Sequence, residues 1–172
     1  MWTTAYCDAS WRTLTAVLFA VFILASCSKH TELDPAVNQL TLKTLSGTDV
    51  ALNDSQGPTL INFWSTSCVI CIKEMPHLAQ LYDEHAATGF QLIAVAMPYD
   101  PPNEVLELAT QLKLPFPVAI DIQGEAVAAF GSVQGTPTSF LLDAEGKLVK
   151  RYVGKMDLSK LTKQLKKLLE TS

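Results

Sequence analysis

Two continuous apolar runs, separated by a helical pattern, constrain the fold of this chain most strongly. The first run, TLINFW, covers residues 59–64, and the second, FQLIAVAM, covers residues 90–97. Uninterrupted apolar runs of this length are typical of strands that are buried on both faces. Between them, apolar residues recur at helical spacing from Ile72 to Thr88, and Gly89 follows as a C-terminal stop. The pattern predicts a βαβ unit with two parallel strands.

The sequence on either side of this unit predicts an α/β domain over residues 41–172, with a central mixed sheet flanked by helices. Two short alternating runs around Ser46-Gly47 predict a hairpin on the edge of the main sheet. The other predicted elements are a helix over residues 103–112, a strand over 117–121, a short helix over 124–130, a hairpin that turns at 143–146 and a final helix from Asp157.

The N-terminal segment has a different composition from the domain. Residues 14–25, LTAVLFAVFILA, carry no charge, and Arg12 precedes them. A helix of this length rises about 18 Å, which is short of the roughly 30 Å of hydrocarbon in a bilayer. A buried core helix is the alternative, but the segment has no polar face. We therefore predict that residues 1–26 are an export signal.

The end of the apolar run, LASC at residues 24–27, resembles the lipobox of bacterial lipoproteins. The resemblance implies cleavage before Cys27 and acylation of its sulfur, so that lipid holds the protein on a membrane. Asp8 and the long polar start depart from the usual short basic beginning of such signals. We interpret residues 27–40 as the lipidated cysteine and a polar tether.

The chain contains four cysteines, and this interpretation leaves two of them in the mature domain. Cys7 is lost with the signal and Cys27 carries lipid, so a framework of structural disulfides is excluded. Cys68 lies where a buried strand ends and a helix begins, a position that lowers the pKa of a thiol. Cys71 lies one helical turn further on. One sulfur of such a pair can attack a substrate disulfide, and the other can resolve the mixed disulfide.

Two other interpretations of this cysteine pair are a zinc site and an inert buried pair of thiols. A zinc site needs two further ligands, and the mature chain offers only His30, His77 and His85, none of them placed to complete a tetrahedral site with Cys68 and Cys71. We therefore predict no metal site. An inert buried pair conflicts with the oxidising compartment that an export signal implies.

Around this cysteine pair, the sequence resembles the exported TlpA-like (ResA- and DsbE-type) thiol-disulfide oxidoreductases of the thioredoxin superfamily. The matching residues are INFWSTSC..C at 61–71, Glu74, Pro76 and GTPTSFLLD at 135–143. The resemblance covers about residues 40–170. It implies a thioredoxin fold with a helix-strand insertion over about residues 103–121, and a redox-active disulfide without a separate cofactor.

The resemblance also implies roles for individual residues. Pro137 is expected to be cis, and Thr136-Pro137 to form the ledge that docks the substrate backbone. Glu74 is expected near the disulfide, where it relays protons; the alternative is a solvated residue in the first turn of the helix. Trp64 is expected to shield the site as a flat apolar wall, and the alternative is that it only fills the core.

Two residues depart from the family pattern. Ile70 stands where most relatives have proline before the second cysteine, which restores a backbone N–H and removes a constraint on φ. Asn62 stands where thioredoxin itself has a buried acid, a replacement that is common in the TlpA-like group. The resemblance therefore does not predict the reduction potential of the Cys68–Cys71 pair.

The sequence as a whole predicts a membrane-tethered thiol-disulfide oxidoreductase that faces the periplasm or an equivalent space. The resemblance implies reduction of protein disulfides, with apocytochrome c as a candidate substrate and a membrane thiol protein as electron donor. A net charge of -4 gives no reason to expect nucleic acid as a partner. A thiol peroxidase is the first alternative, although Ile61 stands where a peroxiredoxin has proline. A copper metallochaperone is the second, but it needs three residues between its cysteines.

Overall fold

The computed structural model of the protein describes residues 33–131 and 133–171. The predicted export signal and Cys27 lie outside these residues. Within the described part of the chain, no helix combines the length and the apolar character needed to cross a bilayer.

The described residues form seven strands and four α-helices. The strands are β1 (Thr41–Lys43), β2 (Asp49–Ala51), β3 (Thr59–Trp64), β4 (Gln91–Ala96), β5 (Val118–Ile120), β6 (Thr138–Leu142) and β7 (Leu148–Val153). The helices are α1 (Val69–His85), α2 (Pro102–Gln111), α3 (Glu125–Ala129) and α4 (Leu158–Leu169). Short 3-10 helices cover Pro35–Gln39, Leu52–Asp54 and Ala86–Thr88.

Five strands form the central sheet in the order β5-β4-β3-β6-β7. β3 runs parallel to β4 and antiparallel to β6, so the sheet is mixed, and the predicted βαβ unit is confirmed. The predicted N-terminal hairpin is also confirmed, as a separate pair of β1 and β2. It reaches the edge of the central sheet through a bridge between Thr44 and Ala119 and through the Leu45 N–H, which donates to Val118 O at 2.8 Å.

Side chains from the two faces of β3 enter two different hydrophobic clusters. Leu60 and Trp64 belong to a first cluster with buried residues of α1, α2 and α4. Ile61 and Phe63 point the other way, into a second cluster with residues of α3 and of the N-terminal 3-10 helix. Because β3 is covered on both faces, every residue of it is buried. This is the α/β architecture that the resemblance to thioredoxin implies.

The first long helix begins before its apolar periodicity does. α1 starts at Val69 with Cys68 as its N-cap, which confirms that Cys68 lies where the helix begins, whereas the apolar residues at helical spacing start only at Ile72. Val69 and Ile70 are 62% and 48% exposed, so the first turn carries no buried apolar stripe from which its start could be recognised. The predicted end is confirmed, because the chain continues as a 3-10 turn to Thr88 and Gly89 follows with a φ of 96°.

The predicted tether over residues 27–40 extends too far along the chain. Residues Pro35–Gln39 form a 3-10 helix, and the side chain of Asp34 caps it by accepting from the Ala36 N–H at 2.9 Å. Val37 is only 1% exposed and belongs to the second hydrophobic cluster. The packed domain therefore begins before Thr41. A five-residue helix with one buried side chain shows no periodicity from which the sequence could predict the start of the domain.

Candidate functional site

Cys68 and Cys71 are joined by a disulfide at the N-terminus of α1. The Cα atoms are 5.2 Å apart, and the Cys71 N–H donates to Cys68 Sγ at 3.2 Å. Cys68 is half-buried, whereas Cys71 is 1% exposed and belongs to the first hydrophobic cluster. Cys68 is therefore the more accessible of the two cysteines to an attacking group in solution. The positive end of the helix dipole and the N–H groups of the first turn favour a thiolate at Cys68 after reduction.

Thr136 and Pro137 are joined by a cis peptide bond, as the resemblance implied. The register that pairs Phe63 with Thr138 places Pro137 at the end of β3 from which the chain leads to Cys68. Pro137 O accepts from the Gly154 N–H at 2.8 Å, while Thr136 is half-buried. Both residues thus lie at the same end of the sheet as the disulfide, and their role as a docking ledge for substrate stays a prediction.

Glu74 is buried beneath the surface of α1, with an exposed fraction of 4%. Its Oε1 accepts from the backbone N–H of Met156 at 2.6 Å, and its Oε2 has no hydrogen-bond partner among the described residues. Burial raises the pKa of this carboxyl, against the opposing effects of the Met156 hydrogen bond, Lys155 and His77. The alternative of a solvated helix residue is therefore wrong. An acid with a raised pKa suits proton transfer to or from a nearby thiol.

Removing the charge of Glu74 is expected to change how stability depends on pH. The pKa of Glu74 is higher in the folded protein than in the unfolded chain. As the pH rises, the carboxyl therefore ionises first in the unfolded chain. The free energy of unfolding decreases as the pH rises from the unfolded pKa through the folded pKa. Glu74→Gln cannot ionise but keeps an acceptor for Met156. Urea unfolding across a pH series should show wild type losing stability relative to Glu74→Gln above about pH 4.5. A difference that stays constant from acidic to neutral pH would contradict this assignment.

Trp64 and Asn62 are both buried at the end of β3. Trp64 is 0% exposed and belongs to the same hydrophobic cluster as Cys71, against which Cys68 also packs. Its Nε1 has no hydrogen-bond partner among the described residues. Its burial shows that it fills the core, and its shielding of the disulfide stays a prediction. Asn62 is 1% exposed and donates from Nδ2 to Ser139 Oγ at 2.8 Å, so a neutral hydrogen-bonded amide occupies this position.

One residue that contacts the loop before Cys68 was missed by the sequence analysis. Asp100 accepts hydrogen bonds from Ser65 and Thr66, although 34 residues or more separate them along the chain. In the sequence Asp100 stands before two prolines, PYDPP, which is a pattern typical of an exposed turn. Only its position directly after a predicted buried strand could have indicated a role at this edge of the sheet.

The described residues contain no group of three or more His, Cys, Asp or Glu side chains arranged to hold a metal ion. The carboxylates of Glu74 and Asp100 both accept hydrogen bonds from backbone N–H groups.

Comparison with known proteins identifies the family. The family model described as Redoxin matches residues 30–165. The thiol-disulfide oxidoreductase ResA of Bacillus thuringiensis subsp. konkukian is 36% identical over 125 residues, which cover 72% of this chain and 71% of the relative. The sporulation thiol-disulfide oxidoreductase A of Bacillus subtilis is 30% identical over 156 residues, covering 87% of this chain and 94% of the relative.

Solved structures show the same fold. The crystal structure of StoA from Bacillus subtilis superposes with a TM-score of 0.65 at 30% identity, and covers 75% of this chain and 98% of that one. The structure of DsbF from MTB gives a TM-score of 0.69 at 26% identity, over 78% of this chain and 98% of that one. The residues matched by the family model, 30–165, include the central sheet, the cysteine pair and Pro137. The chain therefore belongs to the Redoxin family and is a TlpA-like thiol-disulfide oxidoreductase of the thioredoxin superfamily.

Proposed function

We propose that the protein reduces disulfides of other exported proteins, with Cys68 as nucleophile and Cys71 as resolving thiol. The observation that carries this proposal is the unequal exposure of the two cysteines, because Cys68 is half-buried and Cys71 is buried. Val69 and Ile70 lie directly after Cys68 and expose large apolar side chains. An apolar surface beside the nucleophile suits a polypeptide substrate better than a small polar oxidant such as peroxide.

The proposed reaction transfers two electrons to the substrate in two exchange steps. The thiolate of Cys68 attacks one sulfur of the substrate disulfide, which forms a mixed disulfide and releases the other substrate sulfur as a thiolate. Cys71 then loses its proton and attacks Cys68 Sγ, which closes the Cys68–Cys71 disulfide and frees the reduced substrate. Glu74 is the proposed acceptor of the Cys71 proton, since it is a buried acid of the same helix.

The oxidised protein must be reduced again before the next cycle. We propose that a membrane protein with a reactive thiol pair supplies these electrons by the same exchange chemistry, run in the opposite direction. Apocytochrome c, which must present reduced cysteines before it binds haem, is the candidate substrate. Thr136 and Pro137 would hold the substrate backbone, since they lie at the disulfide end of the sheet.

Lipid on Cys27 would keep the domain close to that membrane donor. Five residues, 28–32, separate Cys27 from Leu33, which packs against the second hydrophobic cluster. Such a segment reaches about 21 Å when fully extended. The proposed tether is therefore short, and it holds the domain at the outer surface of the membrane on which the signal deposits it.

The direction of electron flow is tested by the reduction potential of the Cys68–Cys71 couple. A reductase should have a potential below about -200 mV, towards the value of about -270 mV for thioredoxin. Replacing Ile70 with proline removes one N–H from the first turn of α1, so Ile70→Pro should be more reducing by about 30 mV, or about 1.4 kcal/mol. The potentials are measured by equilibration with glutathione buffers. A wild-type value near -120 mV, as in the oxidant DsbA, would refute the reductase assignment.

The lipid anchor is tested by metabolic labelling. In a bacterium that processes lipoproteins, the wild-type chain is expected to incorporate labelled fatty acid and to sediment with membranes, because LASC precedes the modified cysteine. Cys27→Ala removes the acylated sulfur and should abolish both properties. Cys7→Ala is the matched control and should be labelled like wild type. Equal labelling of wild type and Cys27→Ala would discard the anchor without affecting the proposed disulfide chemistry.

A further inference from the structure

A three-residue loop, residues 65–67, joins the end of β3 to Cys68. The loop consists of Ser65, Thr66 and Ser67, and its polar groups are largely paired within the protein. Ser65 is 1% exposed even though it follows the last residue of the strand. The position of the nucleophile therefore depends on what holds this loop in place.

Asp100 binds the loop with both oxygens of its carboxylate. Oδ1 accepts from Ser65 Oγ at 2.7 Å and from Thr66 Oγ1 at 3.4 Å, and Oδ2 accepts from the Thr66 N–H at 3.0 Å. Asp100 is only 6% exposed, so these hydrogen bonds are shielded from water. If the carboxylate moved away, the hydrogen-bond donors of Ser65 and Thr66 would be left unpaired, which is unfavourable. The carboxylate is therefore held firmly in place.

Asp100 is itself fixed to the end of β3. Its backbone N–H donates to Met97 O at 3.0 Å, and the Met97 N–H donates to Trp64 O at 3.0 Å. The segment after β4 is thus joined to the end of β3 by a backbone hydrogen bond, and to the loop after β3 by the carboxylate. This arrangement gives the side chain of Asp100 a defined position relative to Cys68.

The contacts continue from Asp100 to the nucleophile. The hydroxyl hydrogen of Ser65 is directed at Asp100, so the hydroxyl and the backbone N–H of Ser67 both donate to Ser65 Oγ, at 3.0 Å and 3.3 Å. The Cys68 N–H donates to Ser65 O at 3.0 Å. Through Ser65, the carboxylate therefore sets the backbone direction at which Cys68 enters α1.

We propose that Asp100 is a positioning residue for Cys68, which holds the loop so that the sulfur stays at the N-terminus of α1 when the disulfide is reduced. The N-terminal stabilisation of a thiolate falls off within the first turn, so a small movement of Cys68 changes its thiol pKa. The inference rests on the proposed role of Cys68 as nucleophile. It concerns the free thiol, however, and can be tested without any substrate.

Asp121 offers a matched control. It is 7% exposed and also uses both carboxylate oxygens, which accept from the N–H groups of Ala126 and Val127 at 3.0 Å and 2.8 Å at the start of α3. Among the described residues it makes no hydrogen bond to residues 65–67, so its loss removes a buried carboxylate without releasing the loop.

The experiment measures the rate of alkylation of Cys68 by iodoacetamide against pH in the reduced full chain, with Cys68 identified by peptide mass spectrometry. Asp100→Asn and Asp100→Ala both lose the negative charge, but only the asparagine keeps an acceptor for Ser65. The comparison of these two variants thus removes the direct effect of charge. The other titratable groups around the site are kept unchanged; they are Glu104, which accepts from Thr66 Oγ1, and Glu74 with its neighbours Lys155 and His77.

The pH midpoint is expected to lie about half to one unit higher in Asp100→Ala than in Asp100→Asn, which makes alkylation three- to tenfold slower below both midpoints. Asp121→Ala should leave the midpoint at the wild-type value. Equal midpoints in the two Asp100 variants, or an equal shift in Asp121→Ala, would overturn the proposal. If Asp100→Ala does not fold, Ser65→Ala decides: a raised midpoint supports the proposal and an unchanged one overturns it.

A failure of this proposal would be distinguishable from a failure of the proposed function. The reductase assignment depends on the potential of the disulfide and on exchange with a substrate protein, whereas the role of Asp100 depends only on the thiol of Cys68. Normal disulfide exchange together with equal midpoints in the Asp100 variants would remove the positioning role alone.

Discussion

Replacing Trp64 with alanine is expected to lower the free energy of unfolding by about 3 to 5 kcal/mol. The side chain is 0% exposed and packs in the first hydrophobic cluster with Cys71, Met75 and Leu78. Alanine would leave a cavity between β3 and α1 that neither element can close, because β3 is paired on both sides. Trp64→Phe should cost less, since it keeps most of the apolar volume and removes an indole N–H that has no partner among the described residues.

The measurement is urea unfolding of the oxidised protein at constant pH. Tyr99→Ala is the control, because Tyr99 is also a large aromatic residue at this end of the sheet but is 63% exposed. Its loss should change the free energy of unfolding by no more than about 0.5 kcal/mol. A cost below about 1 kcal/mol for Trp64→Ala would show that the indole does not support the disulfide end of the core.

The sheet could be predicted from the sequence because its central strands are covered on both faces. β3 and β4 were recognised as continuous apolar runs, and their observed bounds, Thr59–Trp64 and Gln91–Ala96, agree with the prediction to within one residue. α4 was predicted to start from Asp157, which is its N-cap and accepts from the Lys160 N–H at 3.2 Å. In each of these elements, burial imposes a pattern of apolar residues that a single sequence displays.

Elements without such a pattern of buried apolar residues were predicted less well. The 3-10 helix around Val37 buries one side chain, and the first turn of α1 exposes Val69 and Ile70, so neither shows an apolar stripe. The cis bond before Pro137 was expected only from the resemblance to a family. Nothing in the local sequence distinguishes a cis from a trans X-Pro bond, because the two differ by about 1 kcal/mol.

Long-range polar contacts could not be predicted at all. Glu74 accepts a hydrogen bond from the backbone of Met156, which is 82 residues away, and Asp100 accepts from Ser65 and Thr66, which precede it by 35 and 34 residues. A carboxylate carries the same letter in the sequence whether it is solvated or buried. Whether it is buried, and so whether its pKa is raised as that of Glu74 is, depends on which distant parts of the chain the fold packs around it.

The largest functional effect is expected at Cys68. Cys68→Ala should lower the rate of protein disulfide reduction at least about 10³-fold, because the remaining cysteine, Cys71, is only 1% exposed and is shielded from a protein disulfide. Cys71→Ala should also lose turnover, but for a different reason. Its accessible Cys68 still attacks the substrate, and the mixed disulfide then persists because the resolving sulfur is absent.

The two variants therefore differ in what they capture, although both lack turnover. Disulfide-linked adducts should accumulate on Cys71→Ala and not on Cys68→Ala, and dithiothreitol should release them. A peroxidase would instead accumulate sulfenic acid on Cys68 when treated with peroxide, and it would consume peroxide rapidly as wild type. The same pair of variants thus separates protein disulfide exchange from peroxide chemistry.

The central claim, that Cys68 attacks and Cys71 resolves, is tested most directly by trapping with a defined disulfide-bonded protein such as insulin. Reduced Cys71→Ala and Cys68→Ala are mixed with it, quenched with acid and examined by non-reducing electrophoresis and mass spectrometry. The account predicts a dithiothreitol-sensitive adduct through Cys68 in Cys71→Ala and almost none in Cys68→Ala. Equal adducts in both variants, or an adduct in Cys68→Ala alone, would contradict it.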